Sequence, residues 1–242
     1  VSRHLMAGGT RASADRMLRD IYDVSPQRRQ LCLDAAEATM EALHRQQPGD
    51  ISLYVGIPFC PTRCIYCSFV SAATEKSGKL IPPYLESLGR EIHAAAEGLR
   101  QNPRRIRTVY IGGGTPTTLS ARELTWLLNT LHREFDLSHC LEFTVEAGRP
   151  DTLDPEKLLA IRQGGATRIS INPQTMDDRV LAIMGRSHTS ADILRAYQQA
   201  LEAGHRDINM DLIAGLPGDT PAGFQHTMEQ VLSLSPSNIT VH

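Results

Sequence analysis

The chain has 242 residues, 41% hydrophobic and 21% charged, enough for one large domain or two small ones with a real core. Its 25 Lys and Arg against 27 Asp and Glu leave a net charge of −2, without the basic excess of a nucleic-acid or membrane-surface binder. No apolar run approaches the ~20 residues of a spanning helix, and no signal-peptide stretch opens the chain, so the expected location is the cytoplasm. A start at Val1 and a stop at His242, just after an apolar run, read as a fragment.

Residues 1–50 are expected to form a helical extension. Helices are predicted over 15–24 and 26–46, the second opened by Ser25-Pro26 and ended before Pro48-Gly49. Leu31, Ala36, Met40 and Leu43 are its expected buried face. From residue 51 a second region begins, in which short β-rich runs alternate with helical patterns. The runs are 52–57, 107–111, 141–145, 168–171, 208–213 and 238–241.

The helices between them carry start and stop signals. Ile81, Leu85, Leu88, Ile92 and Leu99 share one helical face. Ser120 and Glu123 form a capping box ahead of Leu124, Leu127, Leu128 and Leu131. Asp154-Pro155 reads as a helix start and Gly164 as its stop. Ser190 opens Ile193, Leu194, Tyr197 and Leu201, closed by Gly204. Thr220-Pro221 opens Phe224, Met228 and Val231. Residues 71–79 read as a polar loop. Six strands alternating with helices predict βαβ units and a parallel sheet, either doubly wound or a partial barrel. Both place ligands at the carboxyl ends of the strands.

Chemistry-bearing residues fall at those ends. Of the five cysteines, Cys60, Cys64 and Cys67 lie within eight residues after the first strand, while Cys32 and Cys140 stand apart. That distribution suits no disulfide framework. Three close thiolates can hold three corners of a cubane iron–sulfur cluster and leave the fourth iron open. Zinc completed by Cys32, Cys140 or a histidine is the alternative.

Gly112-Gly113-Gly114-Thr115 ends the second strand and lets backbone approach a ligand. It is not a phosphate loop, because no Gly-Lys-Ser/Thr follows. Glu146, Gln174, Arg186 and Asp211 lie at or beyond later strand ends, and Gly215-Leu216-Pro217-Gly218 shapes the loop after the fifth. A lone buried charge is costly. Arg186 and Asp211 are therefore expected to face a zwitterionic ligand or each other.

Tyr54-Val55-Gly56-Ile57-Pro58-Phe59-Cys60 with its triplet, the 112–117 loop and the 211–218 segment together resemble the radical S-adenosylmethionine superfamily. They are most similar to its oxygen-independent coproporphyrinogen III oxidase-like branch. The stretch 52–71 and the helical lead-in look like the coproporphyrinogen dehydrogenase subgroup HemZ. The resemblance spans about residues 12–242. It implies a partial (β/α)6 TIM-like barrel over 51–242 beside a 1–50 helical extension, lacking the family's C-terminal substrate-covering region.

The resemblance also implies residue roles. Cys60, Cys64 and Cys67 would hold a [4Fe–4S] cluster whose open iron binds S-adenosylmethionine. Tyr54, Tyr66, Gly113 and Glu146 would line that molecule. A second S-adenosylmethionine would meet Gly114, Thr115, Gln174, Arg186 and Asp211. The implied partners are a tetrapyrrole substrate and a one-electron donor such as a flavodoxin or ferredoxin. The implied reaction is oxidative decarboxylation of coproporphyrinogen III to protoporphyrinogen IX. Gly56 stands where the branch often has histidine. Phe69 stands where coproporphyrinogen oxidases carry a fourth cysteine, and Cys67-Ser68-Phe69 resembles both the HemZ subgroup and the haem-chaperone relatives. Haem binding or delivery without decarboxylation is therefore the alternative function.

Overall fold

Three helices form the first unit, Val1–Asp50: α1 (Ser2–Met6), α2 (Arg11–Asp20) and α3 (Pro26–His44). The computed structural model describes residues 1–242. α2 begins four residues earlier than its apolar pattern suggests, because Thr10 and Ser13 cap its first turn reciprocally. It ends at Asp20, leaving Ile21 and Tyr22 exposed. On α3 the buried residues are Leu33 and Ala36, whereas Leu31 and Leu43 are exposed. Leu31 lies two positions from Leu33, which puts it on the other side of the helix. Ala14, Leu18 and Leu33 form this unit's small core.

The second unit, Ile51–His242, follows the predicted alternation. Its elements are β1 (Asp50–Ile57), β2 (Phe59–Cys60), β3 (Ala72–Ala73), α4 (Thr74–Ser77), α5 (Ile81–Gln101) and β4 (Arg105–Gly113). Next come α6 (Ala121–Glu134), β5 (Glu142–Glu146), α7 (Pro155–Gln163) and β6 (Arg168–Ser170). The last are α8 (Asp178–Ile183), α9 (Ser190–Glu202), β7 (Asp207–Leu212), α10 (Pro221–Leu234) and β8 (Asn238–Val241). Six strands form one sheet in the order β1-β4-β5-β6-β7-β8, with parallel register from β4 to β8. The order never reverses, as it must in a doubly wound sheet. The sheet is an open, partial barrel of six strands.

Its apolar strand residues, among them Ile57, Ile111, Val145, Ile169 and Met210, are fully buried with Leu124, Leu127, Leu158 and Ile193 from the helices. Truncating one such leucine to alanine costs about 2–5 kcal/mol. The capping signals at Ser120 and Asp154 operate as read. α9 differs: Thr189, not Ser190, is its N-cap, paired with Asp192.

Residues 71–79 are not a plain loop. Ala72 N–H donates to the Pro58 carbonyl (2.9 Å), and Ala72-Ala73 pairs in parallel with Phe59-Cys60. That second, two-stranded sheet anchors both ends of the cysteine segment. No helix in the chain is long and apolar enough to cross a membrane.

Candidate functional site: a cysteine-lined cavity at the barrel mouth

The glycine loop folds back over the end of β1. Gly114 N–H donates to the Ile57 carbonyl (2.8 Å) and Thr115 N–H to that of Phe59 (2.7 Å). Gly113 has φ +110°, and a Cβ there would stand 3.0 Å from the Ile57 nitrogen. A Cβ on Gly114 would stand 2.6 Å from the Phe59 oxygen and 3.0 Å from Cys60 Sγ. Only glycine allows this approach. Thr115, almost wholly buried, donates its hydroxyl to Cys60 Sγ (3.3 Å).

A cavity of about 240 Å³ opens at the carboxyl ends of the strands. Cys60, Cys64 and Cys67 line it, with Gly113, Gly114 and Thr115 beside them. Glu146 from the end of β5 and Asp211 from β7 line the same space, as do Gln174, Arg186 and Tyr66. Gln174 has φ +68°. It is held there by N–H donation to the Asp211 carbonyl (2.9 Å) and by acceptance from Ile213 N–H (3.0 Å). Such backbone strain in a non-glycine residue persists only where its surroundings enforce it.

Tyr54 is the exception among the sequence-selected residues. It is more than half exposed and does not line the cavity. It stacks on Tyr110 with centroids 6.0 Å apart, and Tyr110 donates its hydroxyl to Glu146 Oε1 (2.5 Å). Burial pushes the Glu146 carboxyl above the usual carboxylate range, against the Tyr110 hydrogen bond. Burial likewise pushes the Tyr66 phenol up to about 12, although the Arg186 cation opposes it.

Arg186 and Asp211 do not pair. Arg186 donates to the carbonyls of Gly148 (3.2 Å) and Asn172 (2.7 Å) and to Tyr66 Oη. Asp211 accepts from Asn209 Nδ2 (2.7 Å). Backbone carbonyls thus do for Arg186 what a carboxylate was expected to do.

Among the lining residues that the sequence reading does not single out are Arg149 and Asn172. Arg149 follows Glu146 by three positions and donates to Thr62 and Cys64. Asn172, beyond β6, lines the cavity with its buried Oδ1 unpartnered. Both follow strand ends, the criterion that had selected Glu146.

The fold and this cavity define a partial α/β barrel with a thiol-lined mouth. The chain belongs to the radical SAM superfamily, whose family model matches residues 54–231. Within it, the chain groups with HemN, HemZ and HemW. It is 35% identical over 99% of its length to the "Oxygen-independent coproporphyrinogen-III oxidase-like protein HemZ" of Bacillus subtilis, covering 48% of that protein. It is also 35% identical to the same organism's "Heme chaperone HemW" over 79% of this chain and 49% of that one. The structure of coproporphyrinogen III oxidase HemN from Escherichia coli superimposes with a TM-score of 0.72 at 30% identity. That match covers 85% of this chain and 46% of HemN. The chain spans about half the length of the curated relatives it matches.

Membership of the superfamily implies a [4Fe–4S] cluster and S-adenosylmethionine. The cavity suits both. It offers three closely spaced thiols and an unpartnered buried oxygen on Asn172. Cys140 gives its thiol to the Glu142 carbonyl instead. No three Cys, His, Asp or Glu side chains converge on a point suited to a single metal ion.

Proposed function

We propose that the protein to which this chain belongs is a radical SAM enzyme of haem biosynthesis that decarboxylates two propionates of coproporphyrinogen III to vinyl groups. Residues 51–242 would be its radical SAM core and 1–50 a helical extension. The observation that carries this reading is the convergence of thiols, glycine loop, Glu146, Gln174, Arg186 and Asp211 from separate strand ends into one cavity.

In this reading Cys60, Cys64 and Cys67 hold the cluster. When bound, the cluster and S-adenosylmethionine supply a 5′-deoxyadenosyl radical, which performs hydrogen abstraction. The protein's own part is positioning. Gly113 and Gly114 expose backbone to the ligand. Glu146, once ionised, accepts from its donors, and Tyr66 lines it beside the cysteine loop. Gly114, Thr115, Gln174, Arg186 and Asp211 would hold a second S-adenosylmethionine.

Each propionate loses a β-hydrogen atom and CO2, and one further electron leaves to an external acceptor. A flavodoxin or ferredoxin in the cytoplasm would supply the reducing electron. Phe69, exposed at the cavity where a fourth cysteine stands in the oxidases, favours haem delivery as the second reading.

Anaerobic turnover of the full-length protein with coproporphyrinogen III, S-adenosylmethionine and reductant tests the choice. Vinyl products with CO2 support the first reading. Cleavage of S-adenosylmethionine without vinyl products, together with stoichiometric haem binding, would replace it by the second.

A further inference from the structure

Behind the cysteine loop lies a buried polar chain that this reaction scheme does not use. Arg149 is 4% exposed. Its Nη2 donates to Thr62 Oγ1 (2.9 Å), and its Nη1 approaches the Thr62 carbonyl (3.4 Å) and Cys64 Sγ (3.5 Å). On its other edge, Nε and Nη2 meet the two carboxylate oxygens of Asp151 at 3.1 and 3.2 Å. The buried ring of His188 completes the series, with Nδ1 3.1 Å from Asp151 Oδ1. Thr62 in turn donates to the Gly185 carbonyl (2.6 Å).

A buried guanidinium needs a counter-charge, and Asp151 alone supplies it. Asp151 does not explain why the opposite edge of the fork faces a cysteine sulfur. Hydrogen bonds to ligating sulfurs and nearby positive charge favour the more negative, reduced state of an iron–sulfur group. We infer that Arg149, oriented by Asp151 and His188, is a positioning residue that fixes the Cys64 side of the loop and raises the reduction potential of the iron–sulfur group held there. The inference rests on the proposed ligand role of Cys60, Cys64 and Cys67.

The test is the midpoint potential of the reconstituted protein without S-adenosylmethionine, followed by electron paramagnetic resonance during reductive titration. Arg149→Gln should disfavour reduction at least tenfold, a fall of about 59 mV for one electron. Arg149→Lys keeps the charge and should recover most of that loss. Asp151→Asn removes the opposing negative charge and should move the potential upward.

An Arg149→Gln protein with full iron content and an unchanged potential would overturn the inference and leave Arg149 a structural clamp. Should that variant fail to assemble, Thr62→Val decides, because it removes the acceptor that holds Arg149 Nη2 against the cysteine loop without changing any charge: a lowered potential supports the inference, and an unchanged or raised potential overturns it. Failure of the parent protein to bind iron would be a separate result, against the ligand assignment itself.

Discussion

Arg186 donates from Nε and Nη2 to the single hydroxyl of Tyr66, at 3.2 and 3.0 Å. The contact joins the cysteine loop to the segment after α8. Nη1 of Arg186 meanwhile donates to the Gly148 and Asn172 carbonyls. One buried cation therefore ties three βα loops into one wall of the cavity. Loops tied in this way form a pre-shaped site rather than a surface of independent turns.

The thiols provide the first prediction. Anaerobic reconstitution should give about four irons and four sulfides per chain. Cys60→Ala, Cys64→Ala and Cys67→Ala should each abolish the visible absorption, while Cys32→Ala and Cys140→Ala should keep it. Loss of the chromophore in Cys140→Ala with retention in Cys64→Ala would reverse the assignment.

Gly113 offers a steric test. Valine at φ +110° is strained by about 1–3 kcal/mol, and its Cβ would press on the Ile57 backbone. Gly113→Val should lower stability in denaturant titrations by that amount and sharply reduce reductive cleavage of S-adenosylmethionine. Undiminished cleavage would place the ligand elsewhere.

Glu146 links stability and binding in opposite directions. Its folded-state pKa is raised, mainly by burial. Its contribution to stability is thus present below the ordinary carboxylate pKa and lost as pH rises through the folded value. Glu146→Gln should therefore raise the melting temperature of the ligand-free protein at pH 8. The same change removes a charged acceptor worth about 1.5–3 kcal/mol, so binding of S-adenosylmethionine should weaken at least tenfold. In the parent, affinity should strengthen as pH rises through the Glu146 pKa, and calorimetry at two pH values would show it.

The second ligand site can be counted. Equilibrium binding to anaerobic protein should give two equivalents of S-adenosylmethionine in the parent and one in Asp211→Ala, with the cluster intact. One equivalent in both proteins would remove the second site from the proposal.

Acid should weaken the polar chain behind the loop in two stages. Burial holds His188 below its usual pKa despite Asp151. Its contribution is present above the unfolded value of about 6.5 and is lost as pH falls through the folded value. Burial opposes ionisation of Asp151 too, but hydrogen bonds from His188 and Arg149 outweigh it and hold the carboxyl well below the usual range. Its contribution fades only below about pH 4. The cluster-free protein should lose melting temperature between pH 7 and 5, and His188→Gln should flatten that slope. An identical slope in the variant would assign the first stage to another group.

The sequence by itself determined the elements and the addresses of the chemistry. Strand and helix periodicity, capping pairs such as Ser120 with Glu123, and closely spaced thiols are local signals, readable within a few residues. Because parallel strands put their carboxyl ends on one side, the same signals also placed Glu146, Gln174, Arg186 and Asp211 at one mouth. What lay beyond reach was each side chain's choice of partner. Arg186 meets Tyr66 across 120 residues, and Arg149 meets Cys64 across 85. Neither pairing has a local signature. Tyr54 stacks on Tyr110, 56 residues further along the chain, another contact without a local signature. The choice between a partial barrel and a doubly wound sheet was likewise tertiary. It depends on which strands pair across helices, and a hydrophobic pattern that repeats in every βα unit carries no record of that order.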